Sequence, residues 1–213
     1  MDRFTLKSNA KAQIRGNIGV LFVCYLIFAA ISAICGAVSY GIATILVIPP
    51  LSLGFAMMYL NMFNGGEAKV EKLFDGFKAN FVKSILLYLL MGVFIFLWSL
   101  LLVIPGIVKA FSYSMAPYIL AENPEMSALD AISESKRMMN GHKMDLFVLT
   151  LSFIPWLILV SVTFGIAGIY VTPYMEMTEV NFYKSISGGY TYQGEATEAT
   201  GTEDSGDGAF FEE

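Results

Sequence analysis

From Gly16 to Gly66 the chain runs fifty-one residues without one Asp, Glu, Lys, Arg or His. Wound as helix, such a run is about 76 Å long, against a hydrocarbon core of about 30 Å. It reads as two crossings of a bilayer, and lipid becomes the solvent in which the other residues are interpreted. Two later stretches behave alike. Ser84 to Ala121 holds a single charge, Lys109, and Leu146 to Met175 holds none. Each is too long for one crossing and long enough for a helical hairpin. Only 15% of the residues are charged, where soluble domains carry about 25%. The expected fold is therefore all-α and polytopic, with six transmembrane helices arranged as three hairpins over residues 17–63, 82–121 and 145–185.

The basic residues give an orientation. Arg3, Lys7, Lys11 and Arg15 precede the first hairpin, Lys69, Lys72, Lys78 and Lys83 the second, and Lys136, Arg137 and Lys143 the third, with Lys184 behind it. Twelve of the thirteen bases thus fall on one side, and none falls in the candidate turns near Gly36–Gly41, Pro105–Gly106 and Thr163–Gly168. The positive-inside rule makes that side cytoplasmic and puts both termini there. The formal charge of −5 does not contradict this, because seven acids lie in the tail after Lys184, and without them the body is at +2. That tail, residues 186–213, is rich in Gly, Ser, Thr and Glu and reads as disordered and cytoplasmic.

Each hairpin has an amphipathic prelude. Over residues 1–16, Leu6, Ala10 and Ile14 form an apolar stripe beside the basic stripe of Arg3, Lys7, Lys11 and Arg15. Val70, Leu73, Phe74 and Phe77 do the same before the second hairpin. Before the third, Ser127 and Asp130 make a capping-box signature ahead of Ala128, Ala131, Ile132, Ser135, Met138 and Met139. All three are expected to lie in the headgroup plane with their apolar sides toward the acyl chains. The N-terminal bases would meet anionic lipid rather than nucleic acid, at about 1 kcal/mol each. Ala29, Ala33, Ala37 and Gly41 form a small-residue ladder suited to close helix packing. Cys24 and Cys35, on one helix, would stand about 16 Å apart, too far for a disulfide.

Few residues are candidates for chemistry. Lys109 is the one base inside an apolar stretch. Its plainest account is a lysine near the outer boundary that snorkels to the headgroups, and its functional account is an intramembrane cation. Glu176 and Glu179 share a face of the last helix. They read either as an ion pair that fixes packing, with Lys109 as a candidate partner, or as a proton- or cation-responsive pair facing a wet cavity. Two carboxylates alone do not make a metal site. The sole histidine, His142, suits the negative end of a helix dipole. No phosphate loop, nucleophile elbow or zinc-binding His pair is encoded, so neither an enzyme nor a cofactor is expected.

Several motifs carry a resemblance. They are Leu73-Phe74-Asp75-Gly76-Phe77-Lys78, Trp98-Ser99-Leu100, Ile104-Pro105-Gly106-Ile107-Val108-Lys109, Tyr113 to Leu120, Ser127 to Ile132, and Gly141-His142-Lys143. Together they resemble the bacterial membrane proteins grouped as domain-of-unknown-function family 975, over residues 5–185. A more distant likeness is to the membrane domain of some glycerophosphodiester phosphodiesterases. The resemblance implies a bacterial cytoplasmic membrane and six helices, and it makes the lysine after Ile-Pro-Gly part of the family's pattern. It assigns no activity. The leading expectation is a non-enzymatic protein that organises lipid or binds a membrane partner or a second copy. The alternative is a small transporter using Lys109, Glu176 and Glu179.

Overall fold

A computed structural model of the chain describes residues 3–39, 42–79 and 81–188. Among these residues the regular structure is entirely helical. In chain order the elements are α1 (Arg3–Ile14), α2 (Ile18–Ser39), α3 (Ile42–Phe63), α4 (Val70–Leu73), α5 (Asp75–Ala79) and α6 (Phe81–Leu101). Then come α7 (Val103–Tyr113), α8 (Ala116–Glu122), α9 (Ala128–Met138), α10 (Lys143–Leu151), α11 (Ile154–Val162) and α12 (Gly168–Ile186). The expected tail falls almost wholly outside the described residues.

Five stretches are long and apolar enough to cross a membrane: Ile18–Ala37, Ala43–Phe63, Phe81–Leu101, Val103–Glu122 and Lys143–Val162. The expected sixth, α12, does not reach that apolarity. It carries Glu176, Glu179, Asn181 and Lys184, and about half of it is enclosed, with Val171, Pro173, Tyr174, Met177, Thr178, Val180, Asn181, Phe182 and Tyr183 buried. It packs chiefly on α1, α2, α3 and α11, and side chains of α8 also reach it.

Burial is uneven in a way that fits a lipid surround. The interior is built by α1, the second half of α3, α8, α9 and α12. By contrast Leu100 to Ile104, at the α6–α7 junction, are 65–75% exposed, and Phe164 at the α11–α12 turn is 98% exposed. Contiguous apolar surface of this extent is not tolerated in water but is the ordinary exterior of a membrane helix bundle.

The preludes are folded differently from expectation. The first is a helix as the pattern indicates, but Leu6, Ala10 and Ile14 are buried against protein, chiefly along α12. The second is not one helix: it breaks at Phe74 into α4 and α5. Both pieces press on α3 so closely that a Cβ on Gly54 would stand 2.0 Å from the Leu73 carbonyl oxygen, and one on Gly76 would stand 2.0 Å from that of Pro50. The third is α9, whose Ala128, Ala131, Ile132 and Ser135 are buried against α6, α7 and α8. In each case a stripe that periodicity marks as apolar finds a protein partner, which water exclusion favours as well as lipid does.

The capping box is present as the spacing indicates. The Asp130 backbone N–H donates to Ser127 Oγ at 3.2 Å, and that hydroxyl donates to the Asp130 carboxylate at 2.6 Å. Replacing Ser127 with alanine should cost about 1 kcal/mol of stability. A thermal-unfolding shift in detergent measures it, and an unchanged midpoint would mean α9 does not depend on its cap.

One turn also departs from expectation. The α6–α7 reversal falls at Leu102, which is extended, rather than at Pro105–Gly106. Those two residues lie in the first turn of α7, where proline needs no hydrogen-bond donor. Gly106 there meets Ser99 of α6, whose Oγ would be 2.1 Å from a Cβ. In the first hairpin, α2 continues to Ser39, past Gly36. Its small-residue ladder is not enclosed: Ala29, Ala33 and Ala37 are exposed. The fourth member, Gly41, lies outside the described residues. Cys24 and Cys35 are free.

Candidate functional site

Glu176 and Glu179 stand one turn apart on α12 and face the same cavity, of about 320 Å³. Around them are Tyr25 and Phe28 of α2, Ser52, Phe55 and Ala56 of α3, Tyr88 of α6, Ser114, and Pro117 and Tyr118 of α8. Helices α2, α3, α6, α8 and α12 therefore contribute to one chamber. The Tyr118 hydroxyl points at Glu176 Oε2 from 3.4 Å, long for an O–H donor. Tyr88 pairs with Ser52. Tyr25 and Tyr59 exchange a hydroxyl hydrogen bond of 3.0 Å, and the Tyr25 ring stacks on Phe55 with centroids 4.8 Å apart.

Among the described residues no basic side chain forms a salt bridge with either glutamate. The ion pair nearest in sequence is engaged elsewhere. Lys184 takes Glu122 at the end of α8, and Tyr183 donates to the same carboxylate at 2.6 Å. This network fastens the end of α8 to the end of α12, and among the described residues it brings no base to the cavity carboxylates. A charge in a membrane bundle is costly without a partner, and such residues characteristically line ion or solute paths.

Lys109 is not in the cavity. Its ammonium lies 4.5 Å from the centre of the Trp98 ring, a cation–π contact, and its charged neighbours are Lys136 and Lys143. Expected near the far end of its hairpin, it instead joins bases from the cytoplasm-assigned set. The reason is the path of α9, which climbs along α8 and α7 until Ser135 donates to the Ser112 carbonyl at 2.9 Å.

The N-terminal basic stripe divides. Arg3, Lys11 and Arg15 are exposed, as lipid contact requires. Lys7 turns inward, donating to the Ser152 carbonyl at 3.1 Å and lying 4.0 Å from the centre of the Phe153 ring. The chain turns there between α10 and α11, ahead of Pro155, so a carbonyl released by the break finds a charged donor. Burial first, then the Arg3 charge, holds the Lys7 ammonium below the usual lysine range. His142 also differs from expectation: it opens α10 and its Nδ1 is 3.2 Å from Asp145 Oδ2.

Residues 1–110 and 100–189 match the family described as Protein of unknown function (DUF975). The chain belongs to the DUF975 family. No curated protein and no solved structure matches it. The family description carries no activity to the cavity residues of this DUF975 member, so their chemistry is all that speaks for them.

Sequence reasoning reached Glu176 and Glu179 and missed the walls. Tyr25, Ser52, Tyr88 and Ser114 are single polar residues inside apolar runs, where they pass for packing. The signal available was position, for Tyr25 and Tyr88 each stand seven residues into their helices. At about 1.5 Å per residue they share a depth of about 10 Å.

Proposed function

We propose that this protein is a non-enzymatic carrier for a small organic cation, seated in the cavity of Glu176 and Glu179. The observation that carries the reading is two carboxylates facing one chamber without a basic partner among the described residues. An entering cation supplies the missing charge. The walls favour an organic ammonium over a metal ion. Divalent metals want about six oxygen ligands, whereas this chamber offers aromatic faces of Tyr25, Phe28, Phe55, Tyr88 and Tyr118 beside its carboxylates. Aromatic rings attract an alkylated ammonium through their quadrupoles. The volume, about 320 Å³, stands at the lower end of small-molecule sites.

In this reading the chain crosses the bacterial cytoplasmic membrane six times, with α12 as the sixth crossing and both ends inside. α12 tolerates its polar residues because other helices enclose it. The convergence of Lys109 with Lys136 and Lys143 removes the one base that departs from the positive-inside pattern. A role in organising lipid loses its main support, because the apolar stripes of α1 and α9 are spent on the protein interior.

Calorimetric titration of the protein in nanodiscs with tetramethylammonium and choline tests the proposal. Saturable binding is expected, weakened at least tenfold by Glu176→Gln and by Glu179→Gln. Uptake of labelled choline into proteoliposomes should fall in parallel. Absence of binding, or binding indifferent to both substitutions, would overturn it.

A further inference from the structure

A second feature stands apart from the carboxylate cavity. Between α7 and α10 runs a groove of about 400 Å³ walled by Ile104, Ile107, Val108, Phe111, Met144 and Phe147, with Lys143 on its lining. The rings of Phe111 and Phe147 meet edge to face at 5.8 Å and join the two helices along it.

Three lysines gather at this groove. Lys143 lines it, and Lys109, one position beyond Val108, is held at its side over Trp98. Lys136 follows Ser135, whose hydroxyl bonds to the Ser112 carbonyl one turn beyond Lys109. The acids of the adjoining helices are committed elsewhere. Glu134 takes Arg137, with Nε to Oε2 at 2.8 Å, and Asp145 takes His142. Asp130 serves the α9 cap at the opposite end of that helix, and α7 has no acid. Among the described residues none of the three lysines forms a salt bridge. Three like charges so placed repel one another, and an anion among them removes that cost. The groove beside them suits a hydrocarbon chain and nothing polar.

We propose that this groove holds an anionic phospholipid, its phosphate among Lys109, Lys136 and Lys143 and one acyl chain along Ile107, Phe111 and Phe147. Charge selects the headgroup and the apolar walls select the chain, so neither a zwitterionic lipid nor a free phosphate satisfies both. The site is independent of the carboxylate cavity, and neither reading stands or falls with the other.

Trp98 makes the test direct, since it touches Lys109. In a Trp156→Phe background, which leaves Trp98 as the sole tryptophan, its fluorescence is followed in vesicles containing phosphatidylglycerol or phosphatidylcholine with brominated chains. Quenching by the phosphatidylglycerol should half-saturate at a several-fold lower mole fraction. Each single Lys→Gln substitution at Lys109, Lys136 or Lys143 should reduce that preference about fivefold, and the triple variant should abolish it. Ile107→Phe fills the groove and spares the lysines, so it should reduce quenching by both lipids even if the lysine variants do not fold. Equal quenching by the two lipids in the parent protein would overturn the proposal. So would a preference that survives the triple substitution, or full displacement of the brominated lipid by millimolar glycerol phosphate, which has no chain.

Discussion

Gly76→Ala is expected to lower the unfolding temperature of the detergent-solubilised protein by about 6–12 °C, the equivalent of about 3 kcal/mol for a chain of this size. The added methyl would stand 2.0 Å from the Pro50 carbonyl oxygen and 3.1 Å from the Gly54 nitrogen, both backbone atoms. A flexible side chain can step aside from such a contact, but the middle of a buried helix cannot. α5 must then lift from α3, and Leu73, fully buried beside it, loses its seat with it. Gly54→Ala, which meets the Leu73 carbonyl from the other side, should act alike. Gly92→Ala is the control. It lies inside α6, a Cβ there meets nothing within 4 Å, and alanine is the better helix former by about 1 kcal/mol. Its midpoint should hold or rise. If Gly76→Ala unfolds at the parent temperature while Gly92→Ala does too, α4 and α5 are not seated on α3 as described.

Glu176→Gln combined with Glu179→Gln should raise the unfolding temperature of the ligand-free protein while destroying its response to ammonium. Two carboxylates that share one buried chamber destabilise the fold when ionised, and neutral amides of the same shape remove about 1–2 kcal/mol of that cost. For a chain of this length the gain is about 2–8 °C. The parent protein should gain stability on addition of millimolar choline, because a ligand that binds only the folded state stabilises it by mass action. The double variant should not. The opposite sign discriminates. A structural ion pair broken by substitution lowers the midpoint, so destabilisation of the double variant would return Glu176 and Glu179 to a packing role.

Much of the outline was legible because lipid imposes strict rules on sequence. A fifty-one-residue run without a charge, and two more with one or none, admit few structures other than packed helices, since backbone polar groups have no other partner in hydrocarbon. The Ser127–Asp130 cap followed from local geometry alone, and so did the turn before Gly168. Glu176 and Glu179 stood out because carboxylates in such surroundings are expensive wherever they point.

What periodicity could not supply was the partner of each face. An apolar stripe on α1 or α9 is the same in sequence whether it meets acyl chains or another helix, and only the packing of α12 and α8 decided for protein. The small ladder of α2 erred in the reverse direction, because residues that permit close approach do not compel it. Lys109 is the sharpest case. Sequence fixes that a lone lysine follows Ile-Pro-Gly, but its partners come from α6, α9 and α10, up to thirty-four residues away along the chain. The uncharged opening run thus determined the solvent and the helices. The tertiary structure alone decided that Glu176 and Glu179 share one chamber with Tyr25, Tyr88 and Tyr118, because converging on a cavity is a property of how helices pack and not of any one of them.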